Sequence, residues 1–110
     1  MNSVIPVVSV VIATRNRRAW LTESVASVQH QTDIAWELVV VDDASTDDTA
    51  AWLAAQSDPR LHREHLALPG ERSVGRNTGL ARARGRWVMF LDDDDRLRAG
   101  ALQALVSAAE

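Results

Sequence analysis

Three short apolar runs, residues 7–13, 38–41 and 87–91, constrain this chain more than any other feature. They are rich in Val, Ile, Leu and aromatics and barely alternate with polar residues. That is the pattern of strands covered on both faces of a parallel sheet. A fourth run, Leu61–Leu66, is more polar and suits an edge strand.

Helical patterns separate the runs. Leu21, Val25 and Val28 recur at helical spacing and predict a first helix over residues 19–29. Ser45-Thr46-Asp47-Asp48 reads as a capping box, with Ser45 at the N-cap and Asp48 at the third helical position. The helix it opens runs through Trp52 and Leu53 and stops before Asp58-Pro59. A third helix is expected over residues 73–84 with Gly85 as its C-cap, and a last one carries Leu102, Leu105, Val106 and Ala109 on one face. The order β-α-β-α-β-α-β-α predicts an α/β fold: an open, mainly parallel sheet of about four strands with alternating helices, Rossmann-like in character.

A length of 110 residues fits one domain, within the usual window of roughly 100–150. The expectation is a single unit over 1–110, whose end inside a helical pattern suggests a truncated piece of something longer. Net charge is −3, so no general field draws nucleic acid or an acidic membrane. The chain has no Cys, which excludes disulfides, thiolate metal sites and thiol catalysis. It also has no Lys, which removes a P-loop lysine, a Schiff-base lysine and the lysine of a receiver-type phosphorylation site. No signal peptide or membrane segment is evident, and the simplest expectation is a cytoplasmic protein.

Each strong strand ends in a burst of polar residues: Thr14-Arg15-Asn16, Asp42-Asp43, and Asp92-Asp93-Asp94-Asp95. In an open parallel sheet these ends share one edge, where ligands bind. Six carboxylates would converge there. Two unit charges ~4 Å apart repel by about 1 kcal/mol even in water. A divalent cation removes that cost, and Mg²⁺ or Mn²⁺ prefers carboxylate oxygens. Asp92 and Asp94, two apart on an extended segment, can face one ligand together. The bland alternative is a solvated acidic loop at the positive end of the last helix.

Gly70-Glu71-Arg72-Ser73-Val74-Gly75-Arg76-Asn77 nearly spells a P-loop but has Arg-Asn where Lys-Ser/Thr is required. What remains is a helix N-terminus with Arg72 and Arg76 nearby, a plausible place for a phosphate. His30, His62 and His65 do not form a metal set and read as surface residues. The four tryptophans read as packing.

Four segments together resemble the family 2 glycosyltransferases, inverting enzymes of the GT-A fold that use nucleotide-sugar donors. They are Val8 through Asn16, Glu37 through Asp47, Gly75-Arg76-Asn77-Thr78-Gly79, and Phe90-Leu91 followed by the four aspartates. The likeness covers the chain from about Val7 onward and only the N-terminal, donor-binding half of such an enzyme. It implies that Ala13, Thr14 and Asn16 border the nucleobase, usually uracil. Asp43 would accept from a base N–H with Asp42 in support, and Arg76 would sit near base and diphosphate. Asp92-Asp93-Asp94 looks like the family's DxD motif, with Asp94 as metal ligand and Asp92 or Asp93 reaching the ribose or the metal's water shell. The implied cofactor is Mg²⁺ or Mn²⁺ and the implied partner a nucleotide-sugar donor, a UDP-sugar favoured.

Departures are Arg15 where an aromatic is common, Gly75 where Ala is frequent, and Asp93 as a third acid in the motif. The family's general base lies in the acceptor half, expected beyond Glu110. Two other readings stand beside this one: a non-catalytic nucleotide-binding fragment, and a magnesium-dependent nucleotidyltransferase or phosphohydrolase.

Overall fold

In the computed structural model, which describes residues 5–110 and only the backbone at Arg72, four parallel strands alternate with four helices. They are β1 (Val8–Thr14), α1 (Arg18–Gln29), β2 (Trp36–Asp43), α2 (Thr49–Ala54), β3 (Leu61–Leu66), α3 (Arg72–Arg82), β4 (Trp87–Phe90) and α4 (Ala101–Ala109). The sheet order is β3-β2-β1-β4, with Ile12 beside Val40 and Val10 beside both Leu38 and Met89. The expected α/β class, strand order along the chain and edge position of β3 all hold.

β1 and β2 occupy the centre, and their apolar residues are buried on both faces. One face carries Val8, Val10 and Ile12 with Trp36, Leu38 and Val40, packed against Leu21, Val25 and Val28 of α1, Leu53 of α2 and Leu102 of α4. Burying each such side chain is worth about 1.5–3 kcal/mol, which makes this layer the main source of stability. The other face is smaller, built on Val11, Val39, Val41 and Leu66. α3 crosses that face over β1 and β2, approaching so closely that a Cβ at Gly79 would collide with Val11.

Because α3 lies over β1 and β2, β4 is covered on one face only. Trp87 and Met89 join the larger core while Val88 and Phe90 stay exposed, so the prediction of two covered faces fails for this strand. Similar limits apply to α4, where Leu102 is buried but Leu105 is half exposed. Trp20 is likewise exposed and does not pack, unlike Trp36.

Two capping expectations are also corrected. α2 begins at Thr49 with Asp48 at its N-cap, and Ser45 accepts the Asn16 backbone N–H through its hydroxyl. The local box loses to this partner across the sheet edge, and Asp47 receives the Thr49 N–H and hydroxyl instead. α3 ends at Arg82, with Ala83 as an extended C-cap. Gly85 serves close approach: its N–H donates to Ser9 Oγ, and a Cβ there would lie 2.6 Å from the Ser9 nitrogen. His62, expected at the surface, is mostly buried between Glu37 and Arg82.

Candidate functional site

The strand order reverses at β1, with β2 and β3 on one side and β4 on the other. Crossovers leaving in opposite directions open a crevice beyond the C-terminal ends of the strands at such a switch. A cleft of about 410 Å³ opens there. Its lining includes Ala13, Thr14, Asp43, Arg76, Asp92, Asp93 and Asp94, all anticipated from sequence. Arg15, Arg17, Glu71, Gly75 and Phe90 line it too and were not assigned a place. Gly75 lets α3 approach: a Cβ there would come within 3.0 Å of the Ala13 methyl.

The acidic segment is a turn and not an extended strand end. The Asp95 N–H donates to the Asp92 carbonyl at 3.0 Å. α1 anchors it: Ser24 Oγ lies within hydrogen-bond distance of the Asp93 and Asp95 carbonyls, and the Leu97 N–H donates to Ser27 Oγ. Gln31 continues this clamp, donating to the Arg98 carbonyl and accepting from the Leu102 N–H. Ser24 and Ser27 on the inward face of α1, with Gln31 just beyond its end, thus hold the loop that carries the aspartates. Their only sequence signal was a polar side chain interrupting an apolar helical stripe.

The four aspartates divide. Asp93 is buried and accepts the Thr14 hydroxyl at 2.9 Å. Burial pushes its carboxyl above the usual range, the Thr14 hydroxyl and Arg17 oppose the rise, and the Asp94 and Asp92 charges add to it. Asp92, Asp94 and Asp95 are exposed, and each offers an oxygen within 4.8 Å of the others. A set of hard oxygen donors that close fits Mg²⁺ or Mn²⁺. Arginines flank the set: Arg76 Nη2 is 3.8 Å from Asp92, and Arg17 Nη1 is 3.5 Å from Asp94 and 3.6 Å from Asp93. The Arg76 guanidinium also lies 5.6 Å from the centre of the exposed Phe90 ring.

Other anticipated residues sit differently. Asp43 faces the cleft while its Oδ1 accepts the Gly70 N–H at 2.8 Å. Asp42 is buried outside the lining, accepting the Ser45 N–H, with His65 Nδ1 at 3.3 Å. Asn16 adopts a left-handed conformation with φ of 55°. Its side-chain oxygen accepts the N–H groups of Thr46 and Asp47 at 2.7 and 3.1 Å. Asn16 therefore pins the loop after β1 to the loop after β2 and does not line the cleft. The Arg72 side chain lies outside the described residues.

A doubly wound parallel sheet with an acidic turn and two arginines at its switch point has the form of an α/β unit that receives ligands in that crevice. The model of the family described as glycosyl transferase family 2 matches residues 9–110, and the chain belongs to that family. It is 38% identical over 108 residues to the succinoglycan biosynthesis protein ExoO of Rhizobium meliloti, covering 96% of this chain and 30% of ExoO. Among solved structures it resembles residues 1–349 of S. aureus TarS, with a TM-score of 0.82 and 31% identity over 91% of this chain and 31% of that one. It also resembles the Pyrobaculum calidifontis mannosyltransferase PcManGT, solved with GDP-Man and Mn²⁺, with a TM-score of 0.80 and 28% identity over 97% of this chain and 32% of that one. The fold is that of the GT-A glycosyltransferases. The chain thus spans about a third of the length of ExoO, of PcManGT and of the 1–349 piece of TarS. Among the described residues no helix is long and apolar enough to cross a membrane.

Proposed function

We propose that residues 1–110 form a donor-binding unit that takes a nucleoside-diphosphate sugar, a UDP-sugar by preference, together with Mg²⁺ or Mn²⁺. The unit would serve inverting transfer of the sugar to an acceptor hydroxyl. The observation that best supports this is the cleft at the switch point, where Asp43, Arg76 and Asp92 to Asp94 meet from three separate segments. A complex of TarS with UDP-GlcNAc supports a uridine donor, and the GDP-Man and Mn²⁺ complex of PcManGT supports a divalent cation.

The roles follow from the chemistry of each position. Ala13, Thr14 and the backbone around them would border the base, with Asp43 accepting from a base N–H through its second oxygen. Asn16 and Asp42 would act one step back, fixing the loops that carry those contacts. Arg76 would meet the diphosphate, a match of guanidinium to phosphate oxygens. Asp94 and Asp92 would hold the cation and Asp93 would reach the ribose. Bound there, the cation supplies neutralisation of charge building on the departing diphosphate. The resemblance to the family implies that the base that would deprotonate the acceptor belongs to the family's acceptor half and is not one of the cleft carboxylates. The 110-residue chain is expected to bind donor and transfer little sugar.

Thermal unfolding with UDP, GDP or dTDP, each with Mn²⁺ or with EDTA, tests the reading. Ligand at 100 times its dissociation constant stabilises by about 2.7 kcal/mol, several degrees for a domain of this size. The expected result is a Mn²⁺-dependent shift with UDP that is absent in Asp94→Ala. A cooperative melt indifferent to every nucleotide would overturn the proposal.

A further inference from the structure

Arg17 stands at the N-cap of α1, and its side chain makes no capping bond there. An arginine at that end faces the positive pole of the helix dipole, an arrangement that costs about 0.3–1 kcal/mol. Arg18 follows it, and the first turn holds no acid to compensate. Arg18 finds Asp48 at 3.4 Å. Arg17 instead reaches over the cleft and places one nitrogen, Nη1, between Asp93 and Asp94 at 3.6 and 3.5 Å. Both separations exceed hydrogen-bond length, so the attraction is Coulombic and free to be exchanged. The side chain is about half exposed, at 52%. A residue that violates the local preference of its helix belongs to what it meets across the cleft.

What it meets is part of the oxygen set suited to a cation. Asp94 is shared between Arg17 and the cluster of Asp92, Asp94 and Asp95. Resting on the donor-binding reading above, we propose that Arg17 is the resident counter-cation of the acidic turn. It occupies Asp94 until a divalent cation takes that carboxylate, and it is then available to the diphosphate that accompanies the cation. The two halves of this role carry opposite signs. Arg17 opposes binding of a bare cation, with which it competes for Asp94, and favours binding of the cation with a nucleoside diphosphate, whose anionic oxygens it can meet.

The test is a pair of titrations on the 110-residue chain, on Arg17→Gln and on Arg17→Lys. Free Mn²⁺ is followed by its paramagnetic resonance, first alone and then with UDP at saturating Mn²⁺. Arg17→Gln is expected to bind Mn²⁺ alone about fivefold more tightly, the factor one unit charge at ~4 Å is worth in a water-like medium. It is expected to bind UDP with Mn²⁺ roughly tenfold more weakly, the loss of a charge-assisted contact. Arg17→Lys keeps the charge and should leave the Mn²⁺ constant near that of the parent. Arg17→Gln weakening Mn²⁺ alone, both constants standing unchanged, or no chain binding Mn²⁺ would each overturn the proposal. If no chain binds UDP, the donor reading fails and the diphosphate half of the role falls with it. Tighter Mn²⁺ binding by Arg17→Gln would still uphold the counter-cation half.

Discussion

Glu37 and Asp93, at opposite ends of the sheet, are both taken out of water, and the fold treats the two in opposite ways. Glu37, near the start of β2, is 2% exposed; Asp93, beyond the end of β4, is 9% exposed. Glu37 Oε2 accepts the Ser9 hydroxyl and the Arg84 N–H, while His62 and the Arg84 side chain lie beside Oε1 at 3.4 and 3.7 Å. Burial pushes this carboxyl up, but the Ser9 and Arg84 hydrogen bonds and the His62 and Arg84 charges together hold it below its ordinary range. Asp93 has one hydroxyl and a distant arginine against two neighbouring acids, and burial wins. Glu37, whose Oε2 is hydrogen-bonded while its buried Oε1 has nearby cationic groups but no hydrogen-bond partner, is a joint of the fold, tying β1, β2, β3 and the approach to β4. A carboxylate left short of partners at a cleft is the kind of group a ligand completes.

Breaking the joint should have the largest effect. Glu37→Ala strands the Ser9 hydroxyl, the Arg84 N–H and the side chains of His62 and Arg84, and should cost about 3 kcal/mol or more in urea unfolding. A loss under about 1 kcal/mol would erase the contrast between the two ends.

Acid sharpens the comparison. His62 titrates below its ordinary 6.5 because it is buried and faces Arg82. Its contribution is present above the unfolded pKa and is lost as pH falls through the lower folded value. Glu37 follows the same sign from 4.5 downward. Asp93, raised from 3.8, runs the other way: its contribution is present below that value and is lost as pH rises through the higher folded one. Stability should therefore decline as pH drops below about 6.5, with a slope no greater than ~1.4 kcal/mol per pH unit for the one proton involved. His62→Gln should flatten that decline, measured by urea midpoints between neutral pH and the Glu37 transition. An unchanged slope would assign the acid sensitivity elsewhere.

The smallest effect is expected from Asp93→Asn. The amide oxygen can still accept from Thr14, and a charge that burial disfavours is removed. Stability at neutral pH should rise by about 0.5 kcal/mol. A clear loss would mean that Arg17 needs Asp93 more than burial penalises it.

The joint and the cleft differed in how openly the sequence announced them. Apolar runs with few polar residues revealed the order and type of the strands, because a strand buried on two faces has little room for polar side chains. Polar bursts at the strand ends marked the cleft for a similar reason: charges cluster only where the fold leaves an opening. The exposure of Val88 and Phe90 was hidden, since it depends on where α3 crosses and not on their own chemistry. Ser45 looked like a cap because its true partner, the Asn16 N–H, is 29 residues away. In the sequence Arg17 is one of 12 arginines, and only its reach across to Asp94 distinguishes it. Spacing along a chain reports neighbours on one element, whereas these contacts join different ones.

Asn16 has a consequence of this kind. By accepting the Thr46 and Asp47 N–H groups while giving its own N–H to Ser45, it rivets two loops into one piece. Ordering a loose loop costs about 1–2 kcal/mol per residue in backbone freedom. A ligand arriving at this edge meets backbone that folding has already stilled.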